Sequence, residues 1–328
     1  MMDNERIGDY QQAVQDVKTE LQKTIVGMET IIDQVLTALL ANGHVLLEGV
    51  PGLGKTLLVQ TLSDLLALDY RRIQFTPDLM PADITGTNII MEDEHGGRFF
   101  QFQAGPLFAN LVLADEINRA TAKTQAALLE AMQERSISVA GTTRPLDPPF
   151  FVMATQNPIE MEGTYSLPEA QIDRFFFKLK LDYPTLSELN EILLRTTGER
   201  QHQSQQTMGK EQLLEIQRAI RSVPTADEVL DYAARIVLAS QPQQEKPSDT
   251  VKQYVRYGSS PRGAQALVLA GKARAFLEGR FSVSFADIRH VTLPSLRHRI
   301  LLNLEGEASN QDIDRILTEL LEIVPETP

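Results

Sequence analysis

Cysteine is absent from this 328-residue sequence, and so are long uncharged apolar runs. Without cysteine, the chain can form neither disulfides nor thiolate metal sites. No run approaches the ~20 apolar residues that a membrane-spanning helix needs. Residues 1–6 also lack the basic-then-apolar order of a signal peptide. These absences predict a cytoplasmic protein with no membrane span.

Positive charge is scarce as well. The sequence has 31 lysines and arginines against 44 aspartates and glutamates, which gives a formal net charge of −13. Phosphate backbones are held by clustered Lys and Arg, so this balance argues against a general nucleic-acid binder. A local basic pore could still be hidden within an acidic total. The apolar fraction, 42%, is ordinary for a globular protein, and the length favours about two domains.

A phosphate-binding loop follows the first predicted core strand. The apolar run at residues 45–48 leads into Gly49-x-x-x-x-Gly54-Lys55-Thr56, and leucines at helical spacing come next. Glycines let backbone N–H groups surround a polyphosphate, and the following helix adds the positive end of its dipole. Lys55 can reach the β- and γ-phosphates, and the Thr56 hydroxyl can ligate Mg²⁺. The pattern in this context predicts a nucleoside triphosphate site.

A second apolar strand, at residues 111–114, ends in the acids Asp115 and Glu116. A buried parallel strand delivers such side chains to the ligand crevice at its carboxyl end. We expect Asp115 to hold Mg²⁺ and Glu116 to orient and deprotonate an attacking water. An acidic surface turn would look the same locally, but the position ~60 residues after a phosphate loop favours the catalytic interpretation.

Asn157 follows a further buried-type strand, at residues 150–155. A neutral amide at a strand end can position water beside a γ-phosphate, although Asn-Pro is also a common turn. Two β-hairpins are predicted between the core strands. One pairs residues 88–91 with 98–102, and the other starts at residues 136–143.

Helical spacing dominates both ends of the chain. Tyr10, Val14, Val17 and Leu21 predict an amphipathic helix that packs on the core. After Pro184 almost everything is helical in pattern, at residues 186–196, 210–222, 225–238, 261–278, 285–296 and 311–323. We therefore predict a nucleotide-binding α/β core with its N-terminal helix at 1–184 and a helical lid domain at 185–328.

With these features aligned, the chain resembles the AAA+ ATPases and, more narrowly, the MoxR family. The resemblance rests on runs that span most of the chain, at residues 45–56, 105–120, 130–135, 154–158, 167–175 and 258–263. The phosphate loop alone is typical of every P-loop NTPase. The middle runs are much more specific, and no catalytic position departs from the family's pattern.

The resemblance implies a five-stranded parallel sheet of order 5-1-4-3-2, with inserted β-hairpins and an all-α lid after it. It implies an ATPase that converts ATP and water to ADP and phosphate with Mg²⁺. It also implies ring hexamers assembled with ATP, in which the hairpins face the centre. Such rings remodel protein clients, often ones that carry a von Willebrand A domain or await a metal cofactor.

The resemblance further assigns roles to individual residues. Residues 49–56 match the Walker A motif, and Asp115 and Glu116 match Walker B. Asn157 matches sensor 1, and Arg262 matches sensor 2, which contacts the γ-phosphate. Arg174 matches the arginine finger, which reaches the ATP of a neighbouring subunit, and Arg119 is a candidate second contact of that kind. The residues expected to contact the nucleotide are Ile25, Val26, Gly49, Pro51, Gly52, Leu53, Gly54, Lys55, Thr56 and Leu57.

Two other functions remain open at this point. A DNA-acting motor of the same superfamily shares the hairpins, but hairpins that grip phosphates should be basic. Residues 86–103 carry Arg98 against three acids, and residues 136–149 carry only Arg144. A nucleotide-binding scaffold without hydrolysis usually lacks the Walker B glutamate or the finger, and both are present here. Each arginine could also form a surface salt bridge worth ~0–1 kcal/mol.

Overall fold

The computed structural model describes residues 4–157, 165, 167–198, 205–244 and 247–327. The first part of the chain forms a sheet, its covering helices and two hairpins. In chain order these elements are α1 (Asn4–Thr24), α2 (Glu29–Leu40), β1 (Val45–Glu48), α3 (Lys55–Leu66), β2 (Tyr70–Gln74), α4 (Pro81–Thr85), β3 (Gly86–Glu92), β4 (Arg98–Ala104), β5 (Leu111–Asp115), α5 (Ala122–Glu134), β6 (Ser136–Val139), β7 (Thr142–Pro145), β8 (Phe151–Gln156), α6 (Glu169–Ile172) and β9 (Phe177–Lys180).

Most of the remaining chain is helical. Its elements are α7 (Leu186–Thr197), α8 (Lys210–Arg221), α9 (Asp227–Ala239), α10 (Asp249–Tyr254), β10 (Val255–Tyr257), α11 (Pro261–Leu277), α12 (Phe285–Leu296), β11 (Leu301–Leu302), α13 (Leu304–Ala308) and α14 (Ile313–Ile323). The predicted helical lid is confirmed, and within it β10 and β11 pair as a short antiparallel ribbon. Val255 is buried in that ribbon, where the chain crosses in an extended conformation from α10 towards α11.

The central sheet is parallel, with the strand order β2-β5-β8-β1-β9. Numbering these core strands by their order in the chain gives 5-1-4-3-2, so the predicted topology is confirmed. β1, β5 and β8 are buried along nearly their whole length. Central parallel strands read as continuous apolar runs because helices cover both faces of the sheet.

The two parts of the chain share one of the two hydrophobic clusters that the described residues form. α1 buries its predicted apolar face, and it packs against α2 and α3 as well as α11. The predicted boundary at residue 184 falls between the end of β9 and the start of α7. The division into two domains remains a prediction, because buried side chains from both parts join the same cluster.

Both predicted hairpins form and touch each other. β3 pairs with β4 from Gly86 opposite Ala104 to Glu92 opposite Arg98, and β6 pairs with β7. The guanidinium of Arg144 lies 3.9 Å from the centre of the Phe102 ring. The one basic side chain of the second hairpin is therefore held against the first hairpin.

Across the described ranges, no helix combines the length and the hydropathy that a membrane span requires.

Two buried histidines, His44 and His298, are expected to make the stability of this fold depend on pH. Burial lowers the pKa of His44 and of His298 well below the usual value of 6.5. Nδ1 of His44 accepts a hydrogen bond from the Val152 amide at 3.0 Å, which a protonated ring could not do. The histidines bind protons more readily in the unfolded chain than in the folded one. Their contribution to the free energy of unfolding is therefore complete above the pKa of the unfolded state, and it decreases as the pH drops below that value.

We expect the urea concentration at the midpoint of unfolding to decrease as the pH is lowered from 7.5 to 5.5. Each histidine contributes up to ~1.4 kcal/mol per pH unit to this loss. His298→Gln should reduce the slope, because glutamine does not titrate. His95→Gln, in the exposed turn of the first hairpin, should leave the slope unchanged. A stability that is flat across this range would contradict the proposed neutral state of the two rings.

Candidate nucleotide-binding site

The phosphate loop connects β1 to α3. Gly54 precedes the first helical residue with φ +82°, a left-handed conformation that favours glycine. Because Gly54 has no side chain, the N–H groups in the first turn of α3 stay open to an anion. A Cβ on Gly49 would lie 2.8 Å from Cβ of Leu181, so the chain after β9 passes close to the loop.

The remaining loop residues cover a range of exposures. Pro51 and Gly52 are exposed, Leu53 and Thr56 are half-buried, and the Leu57 side chain on α3 is 45% exposed. The middle of the loop is therefore open to solvent, and the residues that lead into α3 are partly enclosed.

The segment between α1 and α2 lies beside the loop. Ile25 is buried in it and Val26 is half-buried. Cε of Met28 comes within 3.7 Å of the position that a Cβ on Gly54 would take. The segment that carries Ile25 and Val26 therefore reaches the phosphate loop through Met28.

Lys55 turns back towards its own loop. Its Nζ donates a hydrogen bond to the Gly49 carbonyl at 2.6 Å. Burial lowers the pKa of Lys55, while the carboxylates of Asp115 and Glu116 act in the opposite direction. The ammonium group therefore lies within the electrostatic influence of both acids.

Asp115 ends β5 with both carboxylate oxygens hydrogen-bonded. Oδ2 accepts from Nη2 of Arg72 at 2.7 Å, and Oδ1 accepts from Oγ1 of Thr155 at 2.6 Å. The same Thr155 hydroxyl accepts from the Glu116 amide at 2.8 Å. Because β8 lies next to β5, Thr155 fixes both acids at the carboxyl end of the sheet.

Glu116 has a φ of +55°, which is unusual for a residue with a side chain. Its Oε2 accepts hydrogen bonds from Nε2 of Gln74 at 2.8 Å and from Nη1 of Arg119 at 3.0 Å. Arg119 therefore lies beside the acid of its own chain. Backbone conformations of this kind are concentrated at functional sites.

Asn157 is 7% exposed and directly follows β8, next to the strand that carries the acids. The carboxyl ends of β1, β5 and β8 meet at one edge of the parallel sheet. Lys55, Thr56, Asp115, Glu116 and Asn157 are all brought to this edge.

Arg174 and Arg262 lie together at the amino edge of the sheet, where the strands begin. Arg174 precedes β9, and with Arg262 it lines a cavity of about 280 Å³ that is also lined by Gly43 and His44, just before β1. β1 and β9 are parallel neighbours, so this cavity lies at the amino ends of the strands. The structure separates the two arginines from the phosphate loop.

β9 begins at Phe177, three residues after Arg174. The carbonyl oxygens of Phe175 and Phe176 accept hydrogen bonds from the guanidinium of Arg299 instead of from a neighbouring strand. The Arg174 segment is therefore a turn held by a buried arginine.

Sequence reasoning missed five residues of these two clusters: Arg72, Gln74, Thr155, Asp173 and Arg299. Arg72 and Gln74 alternate on β2, so both can face one side of the sheet. That signal becomes usable once β2 is placed beside β5. Arg299 carries no local signal, because its partners are far away in the sequence.

The residues at the carboxyl edge fit a nucleotide with Mg²⁺. Among the described residues, no group of His, Asp and Glu forms a protein-only metal site. Mg²⁺ usually takes one or two protein oxygens and completes its shell with phosphates and water. The Asp115 carboxylate and the Thr56 hydroxyl are oxygens of that kind. When bound, the ion would neutralise phosphate charge between them.

Comparisons with known proteins agree with this geometry. The ATPase family associated with various cellular activities (AAA) matches residues 44–177, and the AAA lid domain matches residues 247–320. Chaperone MoxR1 of Mycobacterium tuberculosis is 42% identical over 93% of this chain and 80% of its own length. Protein MoxR of Paracoccus denitrificans is 31% identical over 90% of this chain and 91% of its own length.

The chain belongs to the MoxR family of AAA+ ATPases. A crystal structure of a candidate ATPase from Cytophaga hutchinsonii superposes on it with a TM-score of 0.91 and 41% sequence identity, covering 98% of this chain and 97% of the other. In this MoxR-family chain, the fold predicted from sequence is therefore also that of a solved relative.

Proposed function

We propose that this protein is an ATP-hydrolysing remodelling chaperone whose active site is completed by a second copy of the chain. The separation of the two edges of the sheet carries the proposal. The phosphate loop and the acids lie at the carboxyl edge, and the arginines Arg174 and Arg262 lie at the amino edge. β1 has four residues, so the edges are about 13 Å apart.

At the carboxyl edge, the chain's own residues would hold ATP and activate water. Backbone N–H groups of residues 52–56 would bind the phosphates, and Lys55 would move its ammonium from the Gly49 carbonyl to the β- and γ-phosphates. Glu116 would take the proton of the attacking water, and Asn157 would orient that water. Thr56 and Asp115 would hold Mg²⁺.

At the amino edge, Arg174 and Arg262 would reach the γ-phosphate of a neighbouring subunit. Their place next to Asp173 argues that both act between subunits, because neither lies near the phosphate loop of its own chain. A positive charge placed beside the phosphoryl group that is being transferred stabilises the transition state of that transfer. Hydrolysis would then depend on assembly, and a hexameric ring fits this requirement.

A protein client is supported by the first hairpin. Ile90 and Phe100 face each other across it and are 64% and 73% exposed. Exposed apolar pairs of this kind suit contact with polypeptide, and the acids at the turn disfavour nucleic acid. The name of the Mycobacterium tuberculosis relative, a chaperone, agrees. We also propose that the protein is cytoplasmic. Its client would carry a von Willebrand A domain or a metal site that has yet to be filled.

The test is the rate of phosphate release from ATP and Mg²⁺ at increasing protein concentration. We expect the specific activity to rise with concentration, because the site forms only between subunits. Sedimentation at the same concentrations, with and without ATP, should show larger assemblies where activity rises. Hydrolysis with the same specific activity at every concentration would contradict a shared site.

A further inference from the structure

The carboxylate of Asp173 joins the lid to the segment that carries Arg174. Its Oδ1 accepts a hydrogen bond from Nε of Arg299 at 2.9 Å, and its Oδ2 lies 3.5 Å from Nη1 of Arg262. The hydroxyl of Ser260 donates to the same carboxylate at 3.3 Å. Ser260 caps α11 and Arg262 lies in its first turn. One carboxylate thus holds the start of α11 beside Arg174.

Arg299 fixes the backbone of the same segment. Its five N–H donors all have acceptors: the carboxylate of Asp173 and the carbonyl oxygens of Asp173, Phe175, Phe176 and Ser295. The Arg299 side chain is 3% exposed. Any shift of the segment relative to the end of α12 would leave buried donors and acceptors unpaired, which is costly.

Electrostatics give Asp173 a second role. Burial lowers the pKa of Arg299 to about 10, and Asp173 opposes that shift. Arg299 is therefore charged at neutral pH, with Arg262 close to the same carboxylate. Without Asp173 the two guanidinium groups would repel each other. The carboxylate holds Arg262 near Arg174 instead of letting it turn away.

We propose that Asp173 is a positioning residue that holds Arg174 and Arg262 together, so that both can reach the phosphates of a neighbouring subunit. The inference rests on the proposed function and extends it to a residue that touches no nucleotide. Because Arg299 and Ser260 belong to the lid, a movement of the lid would carry both arginines with it. A change of nucleotide in one subunit would thereby change the position of the two arginines at the active site of the next subunit.

The test introduces Asp173→Asn separately into each of two chains that together form a shared site. A donor chain carries Glu116→Gln and supplies arginines without hydrolysing ATP. An acceptor chain carries Arg174→Ala and can hydrolyse ATP only with a donor's arginine. An equimolar mixture of the two should be active where neither is active alone. If the mixture stays inactive, the proposed sharing of sites has failed, and with it the basis for the role of Asp173.

In the donor chain, Asp173→Asn should lower the kcat of the mixture about 10- to 100-fold, because misplaced groups lose their catalytic effect. In the acceptor chain, the same substitution should leave kcat nearly unchanged. The KM for ATP should stay the same in both mixtures, since the phosphate loop is untouched. Equal losses on the two sides, or no loss on the donor side, would overturn the proposal.

Asp314→Asn is the matched control. The Asp314 carboxylate is 19% exposed, against 20% for Asp173, and it also joins the lid to the sheet. It pairs with Lys180 at the end of β9 at 2.9 Å and with Arg297 at 3.1 Å. Lys180 lies at the opposite end of β9 from Arg174. An equal donor-side loss from Asp314→Asn would show that general lid docking, not Asp173, explains the effect.

Discussion

Arg174→Ala is expected to lower the kcat for ATP hydrolysis by ~10³–10⁵, because a finger arginine stabilises charge on the transferring phosphoryl group. This corresponds to ~4–7 kcal/mol in the barrier. Nucleotide binding should persist, since Arg174 lies at the sheet edge away from Lys55. The measurements are steady-state phosphate release and binding of a fluorescent ATP analogue by the same preparation.

Arg235→Ala serves as the control for Arg174→Ala. Arg235 is half-buried on α9 and donates to the Glu326 carbonyl, so the substitution removes an arginine that belongs to neither cluster. It should leave kcat close to that of the unmodified chain. If Arg174→Ala is equally harmless and activity does not depend on concentration, the chain is better described as a monomeric nucleotide switch.

Glu116→Gln should retain ATP and lower kcat by ~10²–10⁴, the usual range for loss of a general base. The amide keeps the shape of the side chain and can still accept a hydrogen bond from Gln74 or Arg119. It cannot take up a proton from water. Rapid quench of bound radiolabelled ATP would measure the chemical step directly, free of product release.

Glu130→Gln, on the exposed side of α5, is the control for this substitution. It removes one negative charge without touching the site and should leave turnover unchanged. Turnover near normal in Glu116→Gln would mean that another group is the base. A protein that retains ATP but does not hydrolyse it should also hold its client longer, which makes it the form to use for client capture.

Local patterns in the sequence were enough to predict the carboxyl edge of the sheet. Gly54 and Lys55 follow an apolar strand, and Asp115 and Glu116 end another, so each element could be assigned from a few neighbouring residues. Parallel strands then force their carboxyl ends together. The topology needed more than pattern, and it was predicted through the family resemblance before the sheet order confirmed it.

Other features could not be predicted in this way. The ribbon of β10 and β11 pairs strands of three and two residues, too short for alternation to be visible. Thr155 was part of an apolar strand, and only the neighbouring strand shows that its hydroxyl serves both acids. The start of β9 at Phe177 also carries no local signal, because the whole run of phenylalanines at residues 175–177 is typical of a strand.

The sequence by itself determined the motifs from which the nucleotide-binding and catalytic residues are predicted, because those motifs are short and lie where strands and loops meet. Only the tertiary structure decided where the arginines lie. Arg299 binds Asp173 across 126 positions of sequence, and that contact sets Arg174 and Arg262 at the edge away from the phosphate loop. Contacts between such distant residues arise from packing, which leaves no periodic trace along the chain.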